Sequence, residues 1–92
     1  MRISWSATAR ADLDHLHDFL VQYSLETADA AIDSLIDAPK ALLDFPRRGP
    51  RVRDFDPREV REFRAGMYVL RYELRRDEIH IVRLFHTREN RC

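Results

Sequence analysis

The stretch Phe45-Pro46-Arg47-Arg48-Gly49-Pro50 divides the chain into two halves of different periodicity, and this division constrains the fold more than any other feature. Its prolines and its glycine end helical hydrogen bonding. Before it, apolar residues return every three or four positions; after it, they return every second position. Such a chain folds as α+β, with helices and strands segregated rather than alternating. Its 92 residues suffice for one core, so residues 1–92 are expected to form a single domain. An apolar share of 45% places the chain among packed globular proteins and outside disordered compositions.

In the first half, Ile3 and Trp5 alternate with polar Arg2 and Ser4, the pattern of a short strand with Trp5 as a core anchor. Ser6 then suits a helix N-cap. Over residues 7–23, Leu13, Leu16, Leu20 and Tyr23, with Phe19 beside them, mark the buried stripe of an amphipathic helix, and Asp12, Asp14 and Asp18 fall in its first half or on its outer face. Ser24 and Thr27 supply a second cap. Ala28, Ile32, Leu35, Ile36, Leu42 and Leu43 continue an apolar stripe beside an acidic one of Asp29, Asp33 and Asp37. The short break between the stripes predicts two antiparallel helices, and Pro39 predicts a kink near Ala38.

In the second half, residues 51–58 read as an exposed basic loop, followed by strands over 60–64, 67–75 and 79–86, separated by Ala65-Gly66 and Arg76-Asp77. With Arg76-Asp77 as a two-residue turn, Leu74 faces Ile79, Tyr72 faces Ile81, Leu70 faces Arg83 and Tyr68 faces Phe85, a row suited to the core. The other row sets Met67, Val69, Arg71, Glu73 and Arg75 against His86, Leu84, Val82, His80 and Glu78. It mixes charge with apolar bulk, as a half-covered binding face does. A regular strand cannot aim Arg83 and His86 at one site, because they are three positions apart; that would need a bulge or an earlier strand end.

The formal charge is zero, yet it is unevenly distributed. Up to Pro46 three basic residues stand against eight acids, and from Arg47 onward thirteen arginines stand against eight acids. The basic half uses only arginine, whose forked guanidinium suits bidentate contact with carboxylates or phosphates. A protein that tracks nucleic-acid phosphates usually carries a clear positive excess, so zero net charge argues against a plain nucleic-acid-binding module. His15 and His17 are two apart on a helix and do not share a face, so no metal site is expected. Cys92, the single cysteine, permits no internal disulfide and reads as an incidental exposed thiol. There is no apolar run long enough to span a membrane, and residues 1–5 lack the apolar core of a signal peptide, so a cytoplasmic protein is expected.

The element order, Phe45-Pro46 and Gly49 after the second helix, and above all Gly66-Met67-Tyr68-Val69-Leu70-Arg71-Tyr72-Glu73 followed by Ile79-His80-Ile81-Val82-Arg83-Leu84-Phe85-His86-Thr87-Arg88-Glu89 resemble the RelE/ParE toxin superfamily, on its ParE, plasmid-stabilisation side. The resemblance implies a β-α-α-β-β-β fold, with two antiparallel helices packed on a curved antiparallel sheet. It implies the toxin of a bacterial type II toxin-antitoxin system, inhibiting DNA gyrase by protein-protein binding and neutralised by a cognate antitoxin, as a homodimer or a heterotetramer with that antitoxin. No cofactor is implied. The contact surface expected for partners comprises Val69, Arg71, Glu73, His80, Arg83, His86 and Arg88, where arginines and apolar side chains suit an acidic amphipathic peptide.

The alternative is a ribosome-dependent mRNA endoribonuclease of the RelE type. Cleaving RNA through its own 2′-hydroxyl needs a base, an acid and a cation for the phosphate. Arg61, Arg64, His86 and Arg88 are the candidates for these roles. Against it, Val69 stands where RelE-like nucleases often carry an arginine after the third-strand tyrosine, the preceding strand has Arg61 and Arg64 rather than lysines, and no tyrosine follows His86.

Overall fold

The computed structural model describes residues 1–88, so Cys92 and Glu89 of the last strand motif lie outside the described residues. Strand β1 (Arg2–Trp5) leads into helices α1 (Ala7–Leu20) and α2 (Leu25–Asp37), and a 3-10 helix (Ala38–Leu43) follows directly. A second, short 3-10 turn (Arg53–Phe55) precedes strands β2 (Val60–Ala65), β3 (Tyr68–Leu74) and β4 (Glu78–His86). The expected element order is therefore the observed one.

Local chemistry explains the boundaries. Ser6 caps α1, its Oγ accepting from the Ala9 amide at 3.0 Å, and Ser24 caps α2 by accepting from the Thr27 amide at 3.2 Å. Helix α1 stops at Leu20, before the expected Tyr23, because Tyr23 donates its amide to Leu20 in a tight turn. Where a kink near Ala38 was expected, the helix type changes: α2 ends at Asp37, and the chain continues as a 3-10 helix that buries Pro39 and Leu42.

The strands lie in the order β1-β4-β3-β2. Tight turns force β2, β3 and β4 into antiparallel pairing, but β1 runs parallel to β4, so the sheet is mixed rather than wholly antiparallel as the sequence reading had it. The helix hairpin carries the chain away after β1, and no local turn dictates that strand's direction. Gly66 takes a left-handed conformation, φ 63°, between β2 and β3.

One face of the sheet packs on the helices. Leu70, Tyr72, Ile79, Ile81 and Leu84 meet Ala9, Leu13, Leu35 and Leu42, with Ile3 and Trp5 against their margin. The expected register holds for Leu74 with Ile79 and Tyr72 with Ile81, then fails. A bulge at Val82 sets Arg71 opposite Arg83, Leu70 opposite Leu84, Val69 opposite Phe85 and Tyr68 opposite His86. The expected pairs of Leu70 with Arg83 and Tyr68 with Phe85 are thereby corrected, and so is the placing of Leu84 on the outer row. A continuous register would have driven Arg83 into the apolar core beside Leu70; the extra residue instead buries Leu84 and leaves Arg83 exposed.

Candidate functional site

The sites of interest are built by what closes over the sheet. Tyr72 is fully buried, and its hydroxyl donates to the Pro46 carbonyl at 2.8 Å while accepting the Gly49 amide at 3.3 Å. Burial pushes the Tyr72 phenol above its ordinary pKa. Gly49 presses so closely on β2 that a Cβ there would overlap the Glu62 carbonyl oxygen. Beyond it the chain continues along the edge of β2: the Glu62 amide donates to Pro50 at 3.1 Å, and the Val52 amide donates to Val60 at 2.7 Å. The segment expected to be an exposed basic loop thus begins as an edge pairing that covers β2.

Most arginines of the second half are held by carboxylates. Glu59 receives Arg47 and Arg61, Glu73 receives Arg58 and Arg75, Asp56 receives Arg51, and Glu78 receives Arg2 and Arg75. Hydrogen bonding from Arg47 holds the Glu59 carboxyl below its usual range, and hydrogen bonding from Arg58 does the same for Glu73. Ser4 hydrogen bonding, then Arg75 and Arg2, lower Glu78. These arginines neutralise their own surface before any partner arrives.

Two grooves flank this network. The first lies between α1 and the end of β4 and is lined by Asp12, His15, Leu16, Phe19, Tyr68, Arg83, Leu84, Phe85 and His86. Asp12 accepts from the Leu84 amide at 2.9 Å and from Arg83 Nε at 2.9 Å, tying α1 to the part of β4 that extends beyond β1. Phe19 and Tyr23 stand 53% and 73% exposed with their rings edge to face, so an apolar ledge continues from this groove. The second groove, a cleft of about 530 Å³, lies at the edge of β2 between the 46–50 loop and Thr87, and takes its lining from both faces of the sheet: Phe63, with Arg48, from the core side, and Glu62, Arg64 and Val69 from the other.

The residues expected to contact partners are therefore divided. Arg83 and His86 share the first groove, with Arg83 reaching Asp12 and the His86 ring edge-on to Tyr68 at 5.4 Å between centroids. Arg88 is exposed, and its amide donates to His86 Nδ1 at 3.1 Å. Val69 is buried in the wall of the second cleft, while Arg71 donates to Glu62 and lies over the rings of Phe55 and Phe85. Glu73 is taken up by its two arginines, and His80 Nδ1 lies 2.7 Å from Ser4 Oγ.

Of the candidates for RNA cleavage, Arg88 adjoins His86, but Arg64 and His86 do not share a face. Arg64 is in register with Val69 and through it with Phe85, whereas His86 is in register with Tyr68 and through it with Ala65, so the two alternate to opposite faces of the sheet. Arg61 is occupied: it donates to the Gly49 carbonyl at 2.8 Å and to Glu59 at 2.9 Å, which makes it a brace for the loop. The sequence reading missed Asp12, placed among residues tolerated by the helix dipole, and Arg48, which carried no periodic signal. Gly49 between arginine and proline was the available cue that backbone comes close there. Among the described residues no group of three or more His, Cys, Asp or Glu side chains is placed to hold a metal, and no helix is long and apolar enough to cross a membrane.

Comparisons with known proteins agree with this architecture. The family model for the ParE toxin of type II toxin-antitoxin system, parDE, matches residues 3–91. Among solved structures, a chain of the chromosomal ParDE toxin-antitoxin system from P. aeruginosa superposes with a TM-score of 0.76 at 25% identity, covering 94% of this chain and 95% of the other. A search of curated proteins finds no match.

Proposed function

Because the chain belongs to the ParE toxin family of type II toxin-antitoxin systems, we propose that it inhibits DNA gyrase by protein-protein binding and that a cognate antitoxin neutralises it. The observation that carries this reading, beyond the family, is the separation of Arg64 from His86 on opposite faces of the sheet, with Arg61 committed to the 46–50 loop. A cation, an acid and a base that cannot reach one phosphodiester cannot share its cleavage. Binding asks only for a shaped surface.

The antitoxin reading rests on the groove between α1 and β4. Leu16, Phe19, Tyr68 and Leu84 offer apolar contacts, while Arg83 and His86 stand at the same groove and His15 beside them. An amphipathic segment gains apolar burial there, which offsets the entropy of ordering it, and its acidic groups would share Arg83 with Asp12. In a supercoiling assay with purified gyrase, the protein is expected to stop supercoiling or accumulate cleaved DNA complexes, and addition of the antitoxin is expected to restore activity. Unchanged supercoiling at stoichiometric excess of the protein counts against the proposal. Codon-linked cuts in ribosome-bound mRNA, lost on His86→Ala, would replace it with the nuclease alternative.

A further inference from the structure

The cleft between the 46–50 loop and the β2-β3 ribbon differs in charge from the rest of the basic half. Eight arginines there, at 47, 51, 53, 58, 61, 71, 75 and 83, are ion-paired to carboxylates within the chain. Arg48 and Arg64 line one cleft, and neither has a carboxylate partner among the described residues. The carboxylate in the cleft wall, Glu62, is compensated: its Oε2 accepts from Arg71 Nε at 3.1 Å and from Arg71 Nη2 at 2.9 Å. Among the described residues, two positive charges therefore line a common cleft in which the one carboxylate is already held by Arg71.

Their mounting suits a ligand. The Arg48 guanidinium lies over the Phe63 ring at 5.3 Å, a contact that positions it without neutralising it. Arg64 comes from β2 and Arg48 from the loop that Tyr72 and Gly49 clamp, so both backbones are fixed in place. Thr87, a residue with a neutral donor, also lines the cleft, and Phe63 and Val69 contribute apolar surface on its two sides that limits screening by water. We propose that this cleft is a binding site for a phosphate group, with Arg48 and Arg64 as its two forks and Thr87 as a third donor. Two guanidiniums and a hydroxyl match the several oxygens of a phosphate, whereas a single carboxylate satisfies one fork. The apolar groove on the other side of the sheet, with Phe19 and Leu16, is where a peptide's side chains are better served.

Titration of the 15N-labelled full chain, following the arginine Nε–Hε resonances, tests this with inorganic phosphate and separately with single-stranded oligothymidylate. Saturable shifts confined to Arg48 and Arg64 are expected, with affinity falling about tenfold or more in Arg48→Gln and in Arg64→Gln. Arg76→Gln, on the β3-β4 turn, is expected to bind as the parent does. Saturation by phosphate alone identifies a free phosphate or phosphomonoester as the ligand; saturation by the oligonucleotide, with displacement of phosphate, identifies a nucleic-acid backbone. The proposal is overturned by shifts spread evenly over all arginines, by affinity unchanged in both variants, or by acetate giving the same shifts at equal ionic strength.

Discussion

Tyr72 shows how one side chain can serve two purposes. Its ring is part of the core against the helices, while its hydroxyl, bonded to Pro46 and Gly49, fixes the loop that carries Arg48. Tyr72→Phe keeps the ring and leaves the Gly49 amide and Pro46 carbonyl without their partner, a loss of about 1–3 kcal/mol for buried groups. Chemical denaturation is expected to show that loss, with faster amide exchange at Gly49; an unchanged midpoint would mean the loop does not depend on the hydroxyl. Alternation along 67–75 was enough to point Tyr72 inward. Its partners lie 23 and 26 positions earlier, a separation over which periodicity says nothing.

At the scale of the element, β4 is the strand whose irregularity matters most. Its first part pairs with β1, and beyond Ile81 the edge is met by side chains: Ser6 Oγ donates to the Val82 carbonyl at 3.0 Å, and Asp12 accepts the Leu84 amide. Helix α1 thus protects an edge that β1 is too short to cover. Asp12→Ala removes a charge-assisted bond to backbone and the tie to Arg83, with an expected cost of about 1–3 kcal/mol. Hydrogen exchange at Leu84 is expected to accelerate selectively, and equal acceleration throughout β4 would point to global destabilisation instead. The strands themselves were legible from their alternation. The bulge was not, because it answers to the helix face above β4, where Arg83 could not be buried and Leu84 could.

At the scale of the whole molecule, the charge division seen in the sequence becomes a set of local pairs. Glu59, Glu73 and Glu78 titrate below the ordinary carboxylate range in the folded state. Each therefore adds stability that is full above its unfolded pKa, about 4.3, and that is lost as pH falls through the depressed folded value. The urea midpoint is expected to hold from neutrality down to about pH 5 and then to fall, with a shallower fall in Glu73→Gln. A midpoint independent of pH down to about 3 would show that these pairs contribute nothing. Salt is expected to weaken the contribution, since the arginines are largely exposed.

The kinds of element and their order were legible along the chain, because caps, prolines and hydrophobic periods act over a few neighbouring residues and need no distant partner. The family resemblance was legible as well, in the two C-terminal strand motifs. The parallel placing of β1, the shift of register at Val82 and the choice of which arginines pair with internal carboxylates emerged with the packed fold. Those outcomes depend on groups far apart in the chain meeting across the sheet, and the burial of one charge or the pairing of another is settled only when the helices and the 46–50 loop close over it.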